Sequence, residues 1–556
     1  MLKKVKKSTY AAILVFALML LAGLLVYKDY GVSIDDPIQR IRSLVTYKYI
    51  MHTLFGRTIP ALDAYPLASV YNGQYYGVFL QLPMVLIEDL TGFTMDMQSV
   101  WFMRHLVMFL YCYIGYICFY FTGKKLFHND WIALLGTVML FLYPRYFAGQ
   151  FLYIKDMLFA ATVMAAMWAT VMFLEKGESF RWGVVFCIVT AITANQRFMG
   201  MIFPALLVGY LFLRDLFVRR SFRKGRRVIW KRIGVYAAIG FGFLLAYLAV
   251  SPACWTDTFM SFARSIYQFA YYDIWQGCSV FAGRFVYWDE IPWYYMSVWL
   301  LISLPILYLL LFFVSVPLFV VRTVRIVKTS VHAEGGLPEN ADTTAASRVF
   351  AGLLDAPFRY WLLSAVLFFA PLLLIIVCHS VVYSNWRQMY FLLVPFVICC
   401  MFALQWLYRK LTKKSLRVAL TAVLLAGLLF QAGWIVVNHP FEIVYLNRTA
   451  VAYGDQFDRD SSRSSGYSAL QYLAENAQED TIVLNSSSCD YRYVMESVSL
   501  LSADQQARFI GEENGEYIIE TYRYTFGDAV HEGYEEWYSF YVDGFKVVTI
   551  FKKCAD

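Results

Sequence analysis

Long apolar runs recur along this chain, and most have the length of a bilayer span. About 20 apolar residues in a helix cross the hydrocarbon core of a membrane. The runs lie at 9–27, 99–121, 131–148, 156–174, 182–196, 198–214, 233–251, 295–321, 359–378, 388–408 and 417–437. The two near 190 and 206 are short, so they are either two spans or one broken helix. The sequence therefore predicts an all-α polytopic membrane protein with about eleven transmembrane helices.

The composition supports this class. Of the 556 residues, 60% are hydrophobic and 16% are charged, whereas soluble proteins have about 25% charged residues. The sequence contains no P-loop, no dinucleotide fingerprint and no histidine cluster with zinc spacing, which argues against a nucleotide-driven pump. The basic start MLKKVKK precedes an apolar run, as in a signal peptide. No convincing A-x-A cleavage site follows, so we expect this run to be the first span.

Basic residues cluster in four places, and these predict the orientation. They are MLKKVKK, RDLFVRRSFRKGRRVIWKR, RTVRIVK and RKLTKKSLR. Lys and Arg concentrate in short cytoplasmic loops, and with eleven spans all four clusters fall on one side. We therefore expect a cytoplasmic N-terminus. The first loop (28–98), the turn near 150, the loop 252–294, the turn 379–387 and the C-terminus then face the outside.

The segment 438–556 differs in charge from the rest of the chain. It holds 20 acidic and 9 basic residues, a net charge of −11, whereas residues 1–437 carry +19. SALQYLAENA predicts a helix, and the β-branched and aromatic stretches TIVLNSS, YIIETYRYT and GFKVVTIFKK predict strands. We expect a transmembrane domain, 1–437, and a small external α/β domain, 438–556. The polar stretch TSVHAEGGLPENADTTAAS predicts a mobile cytoplasmic linker within about 322–358.

The ten cysteines are scattered, and no C-x-x-C occurs. Six lie in predicted spans, where cysteine acts as a small apolar residue. Cys254 and Cys278 share one external loop, and Cys489 and Cys554 share the external domain. A disulfide between either pair is left open.

An acidic pair follows the first span, in GVSIDDPIQRIR. Asp35 and Asp36 precede Pro37, and an Asp before a Pro suits the first turn of a helix. A helix cap needs only one of the two carboxylates, so the other is available for chemistry. Further along the same loop, YNGQYYGVF predicts an aromatic segment along the membrane interface.

Charged residues also gather where other predicted spans end on the outer side. YPRYFAGQFLYIKDMLF contains Arg145, Lys155 and Asp156 at the turn between two apolar helices. Arginines end or begin further spans in TANQRFMG, GRFVYWDEIPWYY and HSVVYSNWRQMYF, and Arg104 and His105 begin the second span. One such arginine is explained by snorkelling to the interface. Several cations at one depth suit a lipid phosphate; they are Arg145, Lys155, Arg197, Arg284 and Arg387.

These motifs and their order resemble a known family. The acidic pair, YPRYFAGQFLYIKDMLF, IPWYYMSVWLLISLP, YSNWRQMYFLLVP and HPFEIVYLN are similar to segments of the bacterial relatives of protein O-mannosyltransferases and aminoarabinose transferases. This is the family 39-like group of glycosyltransferases with the GT-C fold. The similar segments cover nearly the whole chain. The chain departs from the family pattern at Tyr153-Ile154, Gln150 and Gln388, and before SSGYSALQYL.

The resemblance implies an inverting glycosyltransferase in a bacterial plasma membrane. The donor would be a sugar on a polyprenyl phosphate, and the acceptor, a protein, a wall polymer or a glycolipid, would approach from outside. The family places the catalytic base at the first acid of the pair, Asp35, with Asp36 and Asp156 assisting. Cations would stabilise the departing lipid phosphate; the candidates are Lys155, Arg145, Arg197, Arg284, Arg387, Arg104 and His105. Whether a divalent metal joins the carboxylates is left open.

Two other classes of protein remain as alternatives. A transporter or flippase of a lipid-linked or anionic substrate would also need buried cations, but it predicts charges at mid-depth and often internal repeats. Neither feature is evident in the sequence. A non-catalytic scaffold with an external binding domain leaves Asp35-Asp36 and Lys155-Asp156 unexplained.

Overall fold

The computed structural model describes residues 6–68, 71, 77–255, 257–270, 275–332, 344–355 and 358–554. Helices dominate, and several are joined by short 3-10 segments. The described helices are α1 (Lys7–Val26), α2 (Asp36–Phe55), α3 (Leu82–Leu90), α4 (Met97–Phe127), α5 (Asp130–Phe141), α6 (Pro144–Leu152), α7 (Ile154–Glu175), α8 (Phe180–Gln196), α9 (Ile202–Leu213), α10 (Arg226–Val250), α11 (Thr258–Ala270), α12 (Tyr295–Ser303), α13 (Ile306–His332), α14 (Ala345–Leu353), α15 (Phe358–Val377), α16 (Leu393–Lys410), α17 (Lys414–Asn438), α18 (Gly466–Asn476), α19 (Tyr491–Val498) and α20 (Ala503–Gln506).

Nine helical segments in the described chain are long and apolar enough to cross a membrane. They are Lys7–Val26, Met97–Phe127, Ile154–Glu175, Phe198–Val218, Arg226–Val250, Ile306–His332, Phe358–Val377, Arg387–Lys410 and Lys414–Asn438. The pair α5 and α6, bent by 64°, adds a tenth if it is one span. The remaining predicted span, 182–196, is α8, whose 17 residues lie at the lower limit of a spanning helix. The predicted fold class, a polytopic helical bundle with a small C-terminal α/β domain, is confirmed.

Breaks in the helices follow local sequence. Pro144 begins α6, where its fixed φ suits a first helical position and its missing N–H costs nothing. All nine residues of α6 are buried, so this short helix lies inside the bundle. The two runs near 190 and 206 are separate helices, α8 and α9, joined by the 3-10 segment Phe198–Met201. The predicted span 295–321 is two helices, α12 and α13, which meet at Pro305.

Two other predictions need revision or lie outside the described residues. The linker is partly helical, because α13 continues to His332 and α14 begins at Ala345; residues 333–343 lie outside the described part. The segment YNGQYYGVF includes 72–76, which are also outside it. All ten cysteines are described and all are free thiols, so neither candidate disulfide is formed.

The strands lie in one hairpin and one C-terminal sheet. The hairpin is β1 (Cys278–Phe281) and β2 (Arg284–Tyr287). The sheet has the order β4-β3-β5-β7-β6, built from β3 (Ile482–Asn485), β4 (Phe509–Glu512), β5 (Tyr517–Glu520), β6 (Tyr534–Val542) and β7 (Phe545–Lys553). Strand β3 pairs in parallel with β4 and β5, whereas β7 is antiparallel to β5 and β6. The predicted helix α18 and strands β3, β5 and β7 are confirmed; β4, β6 and the hairpin were not predicted.

The sheet packs on the helix bundle through a continuous apolar core. One cluster of buried side chains extends from Phe109 and Phe151 among the helices to Leu470 and Val547 in the C-terminal segment. The segment between α1 and α2 contacts both, because Tyr30 stacks on Phe151 of the bundle with 4.8 Å between ring centroids, and the backbone N of Ile34 donates to the backbone O of Ser462 at 3.1 Å. The C-terminal α/β unit therefore sits directly on one end of the bundle. The division into domains at 437/438 stays a prediction.

Candidate active site

A cavity of about 860 Å³ lies at the end of the bundle that carries the C-terminal sheet. Its walls are helix ends: the start of α2, the start of α7, the ends of α8, α10 and α15, and the turn before α16. Its charged lining consists of two carboxylates and five cations, which are Asp35 and Asp156, and Arg42, Lys155, Arg197, Arg387 and Arg523. An excess of cations in a concave site attracts anions. The cavity is therefore suited to a phosphate-bearing ligand.

Asp35 precedes the first residue of α2 but does not cap it. Its side chain accepts no bond from the helix N-terminus, and Oδ2 instead accepts a hydrogen bond from Arg387 Nη1. About 36% of the side chain is exposed. Burial raises the pKa of this carboxyl, but the positive charges of Arg387, Arg523 and Arg42 lower it by a larger amount. The pKa of Asp35 therefore lies below its ordinary value. Asp35 is therefore an ionised, accessible carboxylate at neutral pH, as a general base must be.

Asp36 does not line the cavity. It is 4% exposed, and its Oδ2 accepts a hydrogen bond from the backbone N of Ser33 at 3.2 Å. Burial raises the pKa of Asp36 to about 8, although Arg104 acts in the opposite direction. The two adjacent carboxyls therefore have different roles, because Asp35 faces the cavity and Asp36 is a buried structural group.

Arg387 lies between the two cavity carboxylates. Nη1 of Arg387 bonds Asp35 and lies 3.8 Å from Asp156 Oδ2. Asp156 Oδ1 also pairs with Arg197 Nη2. The Arg387 guanidinium is held over the ring of Tyr153, 4.8 Å from its centroid. The sequence predicted Asp35, Asp156, Arg197 and Arg387 for one site, and the structure brings these four side chains together.

Lys155 also lines the cavity, next to Asp156 at the start of α7. Its side chain is partly exposed. A Lys carries a compact point charge on a flexible side chain, so its ammonium group can adjust its position to contact a bound phosphate.

The other four predicted cations do not line the cavity. Arg145 is buried, donates to the backbone O of Tyr445 at 2.7 Å and lies over the ring of Trp299. Arg104 donates to Gln81 Oε1 at 2.8 Å behind the cavity wall. His105 Nδ1 contacts the backbone O of Tyr27 at 3.2 Å, and Arg284 is exposed on β2. These side chains support the fold around the site or lie apart from it.

Two cavity cations were not predicted. Arg42 lies seven residues after Asp35, which is two helical turns, so its spacing in GVSIDDPIQRIR was an available signal. Arg523 follows β5 in the C-terminal segment, where it donates from Nη1 to the backbone O of Ser461 at 2.5 Å and from Nη2 to Ser384 Oγ at 3.0 Å. Its approach to the cavity depends on contacts across 62 and 139 residues of sequence, which no local pattern indicates.

The charged side chains that line the cavity suit an anion better than a divalent cation. Among the described residues, no group of three or more His, Cys, Asp or Glu side chains is arranged to hold a metal ion. Both cavity carboxylates are paired with arginine, and hard divalent cations prefer several oxygen ligands. No step of the chemistry below is assigned to a metal.

Comparison with known proteins finds no matching family model and no matching curated protein. Among solved structures, the chain is similar to ArnT from Cupriavidus metallidurans in the apo state, at 12% identity, with 92% of this chain and 93% of that chain covered and a TM-score of 0.44. It is also similar to the same protein bound to undecaprenyl phosphate, at 12% identity, with 98% of each chain covered and a TM-score of 0.39. ArnT is an aminoarabinose transferase, one of the kinds of enzyme that the sequence motifs resemble.

Proposed function

We propose that this protein is a membrane glycosyltransferase that moves a hexosyl or pentosyl group from a polyprenyl-phosphate donor to an acceptor hydroxyl. The observation that carries the proposal is the position of Arg387, which touches Asp35 and lies near Asp156 in a cavity with four further cations. Such a site places a carboxylate that can act as a base close to cations that can bind the leaving phosphate. Glycosyl transfer to a hydroxyl needs these two functions.

The reaction proceeds by one displacement. The Asp35 carboxylate takes the proton of the acceptor hydroxyl, and that oxygen attacks the anomeric carbon of the donor. The bond from the anomeric carbon to the phosphate oxygen breaks, and its electron pair stays on the phosphate. Because attack and departure occur on opposite faces of the sugar, the anomeric configuration inverts. The products are the glycosylated acceptor, protonated Asp35 and a polyprenyl phosphate with one more negative charge.

The cavity cations stabilise that developing charge. Arg387 and Arg197 lie against Asp156 at the start of α7, and Lys155, the residue before Asp156, lines the same cavity. Preorganised cations gain most where charge increases in the transition state, and arginine can bind phosphate through two parallel hydrogen bonds. Asp156 keeps two of these guanidiniums in place before the donor arrives. On binding, the phosphate competes with Asp156 for them.

The reaction is assigned to the outer face of a bacterial plasma membrane. The described residues of the four basic clusters lie at the helix ends remote from the cavity, such as the start of α1, the start of α10 and the end of α16. Short basic loops are typical of the cytoplasmic side. The cavity and the acidic C-terminal unit then face outward, where a protein, a wall polymer or a glycolipid acceptor approaches. The polyprenyl tail stays in the bilayer beside the bundle.

The test is an assay of the purified protein in lipid nanodiscs with a panel of polyprenyl-phosphate sugars. Mass spectrometry of the products should show sugar transfer from at least one donor, and NMR should show an inverted anomeric centre. Asp35→Asn protein serves as the control for background hydrolysis. In sealed proteoliposomes, movement of the intact lipid-linked sugar across the membrane, with no transfer from any donor, would instead support the transporter.

A further inference from the structure

A polar segment of the C-terminal unit is buried against the cavity. Residues 458–465, which we call the serine segment, read DRDSSRSS, and none of them is more than 6% exposed. Burying polar groups is costly unless they form hydrogen bonds. A run of eight such residues inside the molecule therefore needs a specific set of partners.

Asp460 shapes the serine segment from within. Its Oδ1 accepts hydrogen bonds from the backbone N and Oγ of Ser462, at 3.0 and 2.5 Å, and its Oδ2 accepts one from the backbone N of Ser465 at 2.7 Å. An Asp that bonds the backbone a few residues ahead stabilises a turn before a helix. The turn leads into α18, and it leaves the hydroxyl of Ser461 directed at groups outside the segment.

One side of the serine segment holds the stretch of chain that carries Asp35. The backbone N of Ile34 donates to the backbone O of Ser462 at 3.1 Å, and the backbone N of Val32 donates to Ser497 Oγ at 3.0 Å. Gly31 allows this close approach, because a Cβ there would lie 2.6 Å from the backbone O of Ser464. The carboxylate that we propose as the base is thus attached to the C-terminal unit.

The other side of the serine segment holds the groups around Arg387. Ser461 Oγ accepts a hydrogen bond from Asn385 Nδ2 at 2.8 Å and shares another with Tyr153 Oη at 2.8 Å. Asn385 Oδ1 in turn accepts the backbone N–H of Arg387 at 3.0 Å, while the ring of Tyr153 lies under the Arg387 guanidinium. Ser461 therefore reaches the backbone of Arg387 through Asn385, and the guanidinium of Arg387 through Tyr153.

We propose that Ser461 is a positioning residue for the site. Through its hydroxyl, the C-terminal unit holds the Arg387 guanidinium at a fixed position next to Asp35. This inference rests on the proposed function for its consequence in catalysis. Without the Ser461 hydroxyl, Asn385 and Tyr153 lose a buried partner, and the guanidinium is free to move relative to Asp35. Misplacement of a catalytic group by about 1 Å can lower the rate on the order of 10²-fold.

The specific readout is the pH dependence of kcat/KM. Asp35 faces the cations Arg42, Lys155, Arg387 and Arg523, and its neighbour Asp36 is the nearest carboxyl along the chain. If Arg387 moves away in Ser461→Ala, the pKa of Asp35 rises, and the acid limb of the profile moves to higher pH. A variant that is merely less stable loses active protein at every pH and leaves the limb in place.

Ser465→Ala is the matched control. Ser465 belongs to the same segment and is 3% exposed, but its hydroxyl has no hydrogen-bond partner among the described residues. We expect Ser461→Ala to lose roughly 10- to 100-fold in kcat/KM at neutral pH and to show the shifted limb, whereas Ser465→Ala should match wild type in both. Wild-type activity in Ser461→Ala, or a loss with an unshifted limb, would overturn the proposal.

Hydrogen–deuterium exchange separates this inference from the proposed function. In Ser461→Ala, exchange should increase in 152–156 and 383–388, with no such change in Ser465→Ala. If wild type transfers no sugar but this pattern is found, the glycosyltransferase assignment fails and the positioning role of Ser461 stands. Equal exchange in both variants would overturn the role of Ser461 whether or not wild type is active.

Discussion

Asp35 and Arg387 form an ion pair in the free protein, and in the proposed reaction the donor phosphate shares Arg387 with Asp35. Arg387 lowers the pKa of Asp35, which keeps the carboxylate ionised but makes it a weak base. A donor phosphate that binds Arg387 takes away part of this stabilisation. The pKa of Asp35 should then rise while the substrate is bound, so that the base becomes stronger when it is needed.

This coupling predicts two different acid limbs. The pH profile of kcat/KM reports the free enzyme, and that of kcat reports the enzyme with its substrates bound. We expect the acid limb of kcat to lie at higher pH than that of kcat/KM, because only the bound phosphate competes for Arg387. Steady-state rates at saturating and low donor, from pH 8 down to the lowest pH at which the protein stays folded, measure both. Coincident limbs would mean that the phosphate does not draw Arg387 from Asp35.

The placement of the cations predicts which of them contribute to donor binding. Lys155 lines the cavity and Arg284 is exposed on β2 outside its lining. Lys155→Ala should therefore weaken donor use by about 10- to 100-fold, since a charge-assisted hydrogen bond contributes about 1.5–3 kcal/mol. Arg284→Ala should remain close to wild type. Donor titrations of both variants test this, and equal losses would place the phosphate elsewhere.

At the scale of elements, α2 is held from behind by buried charges. Glu88 on α3 is 1% exposed, pairs with Arg40 Nη2 at 2.6 Å and lies 3.9 Å from Arg104 Nη1. Gln81 links this cluster to α2, because it accepts from Arg104 and donates to Gln39 at 3.2 Å. Arg104, a predicted phosphate ligand, therefore contributes to the support of the first turns of α2.

Removing the buried carboxylate should destabilise this part of the fold. Loss of one partner from a buried ion pair costs about 3–5 kcal/mol, so Glu88→Gln should clearly lower the thermal unfolding temperature in detergent. Asp63→Asn, which changes an exposed carboxylate of the same loop, is the control and should unfold like wild type. If Glu88→Gln also unfolds like wild type, the cluster does not support α2.

The sequence predicted the elements better than their junctions. Apolar length alone located a helical segment at each predicted span, because a bilayer requires it. It did not indicate the 64° bend between α5 and α6 or the break at Pro305. The prolines at these two junctions, Pro144 and Pro305, were the available local signal. Strand β6 is rich in aromatic residues, in YEEWYSFYV, and this strand signal was available but was not used. Strand β4 has only four residues and little pattern.

The same distinction applies to the site. Residues at helix ends could be predicted, because charge at the edge of a span needs a reason, and this found Asp35, Lys155, Asp156, Arg197 and Arg387. The same rule also selected Arg145, which instead donates to the backbone near Tyr445. Ser461 and Arg523 were out of reach, since their roles come from contacts between segments that are far apart in sequence.

At the scale of the molecule, the distribution of charge predicts the orientation. The C-terminal segment carries a net charge of −11, and the described residues of the basic clusters lie at the opposite helix ends. In a variant whose exposed cysteines are replaced, a membrane-impermeant maleimide should label Glu512→Cys in intact cells. It should label Lys224→Cys, in the basic loop before α10, only after lysis. The reverse pattern would place the cavity in the cytoplasm and contradict the proposed external reaction.

The central claim is that Asp35 takes the proton of the acceptor, and turnover of Asp35→Asn at saturating donor and acceptor tests it most directly. Asn is nearly isosteric with Asp but cannot accept the proton, so kcat should fall by about 10²- to 10⁴-fold while donor binding is retained. Asp36→Asn is the matched control. Because the pKa of Asp36 is raised to about 8, its carboxyl is largely protonated at pH 7, and this variant should lose much less. Near-wild-type turnover of folded Asp35→Asn would contradict the account and make Asp156 the candidate base.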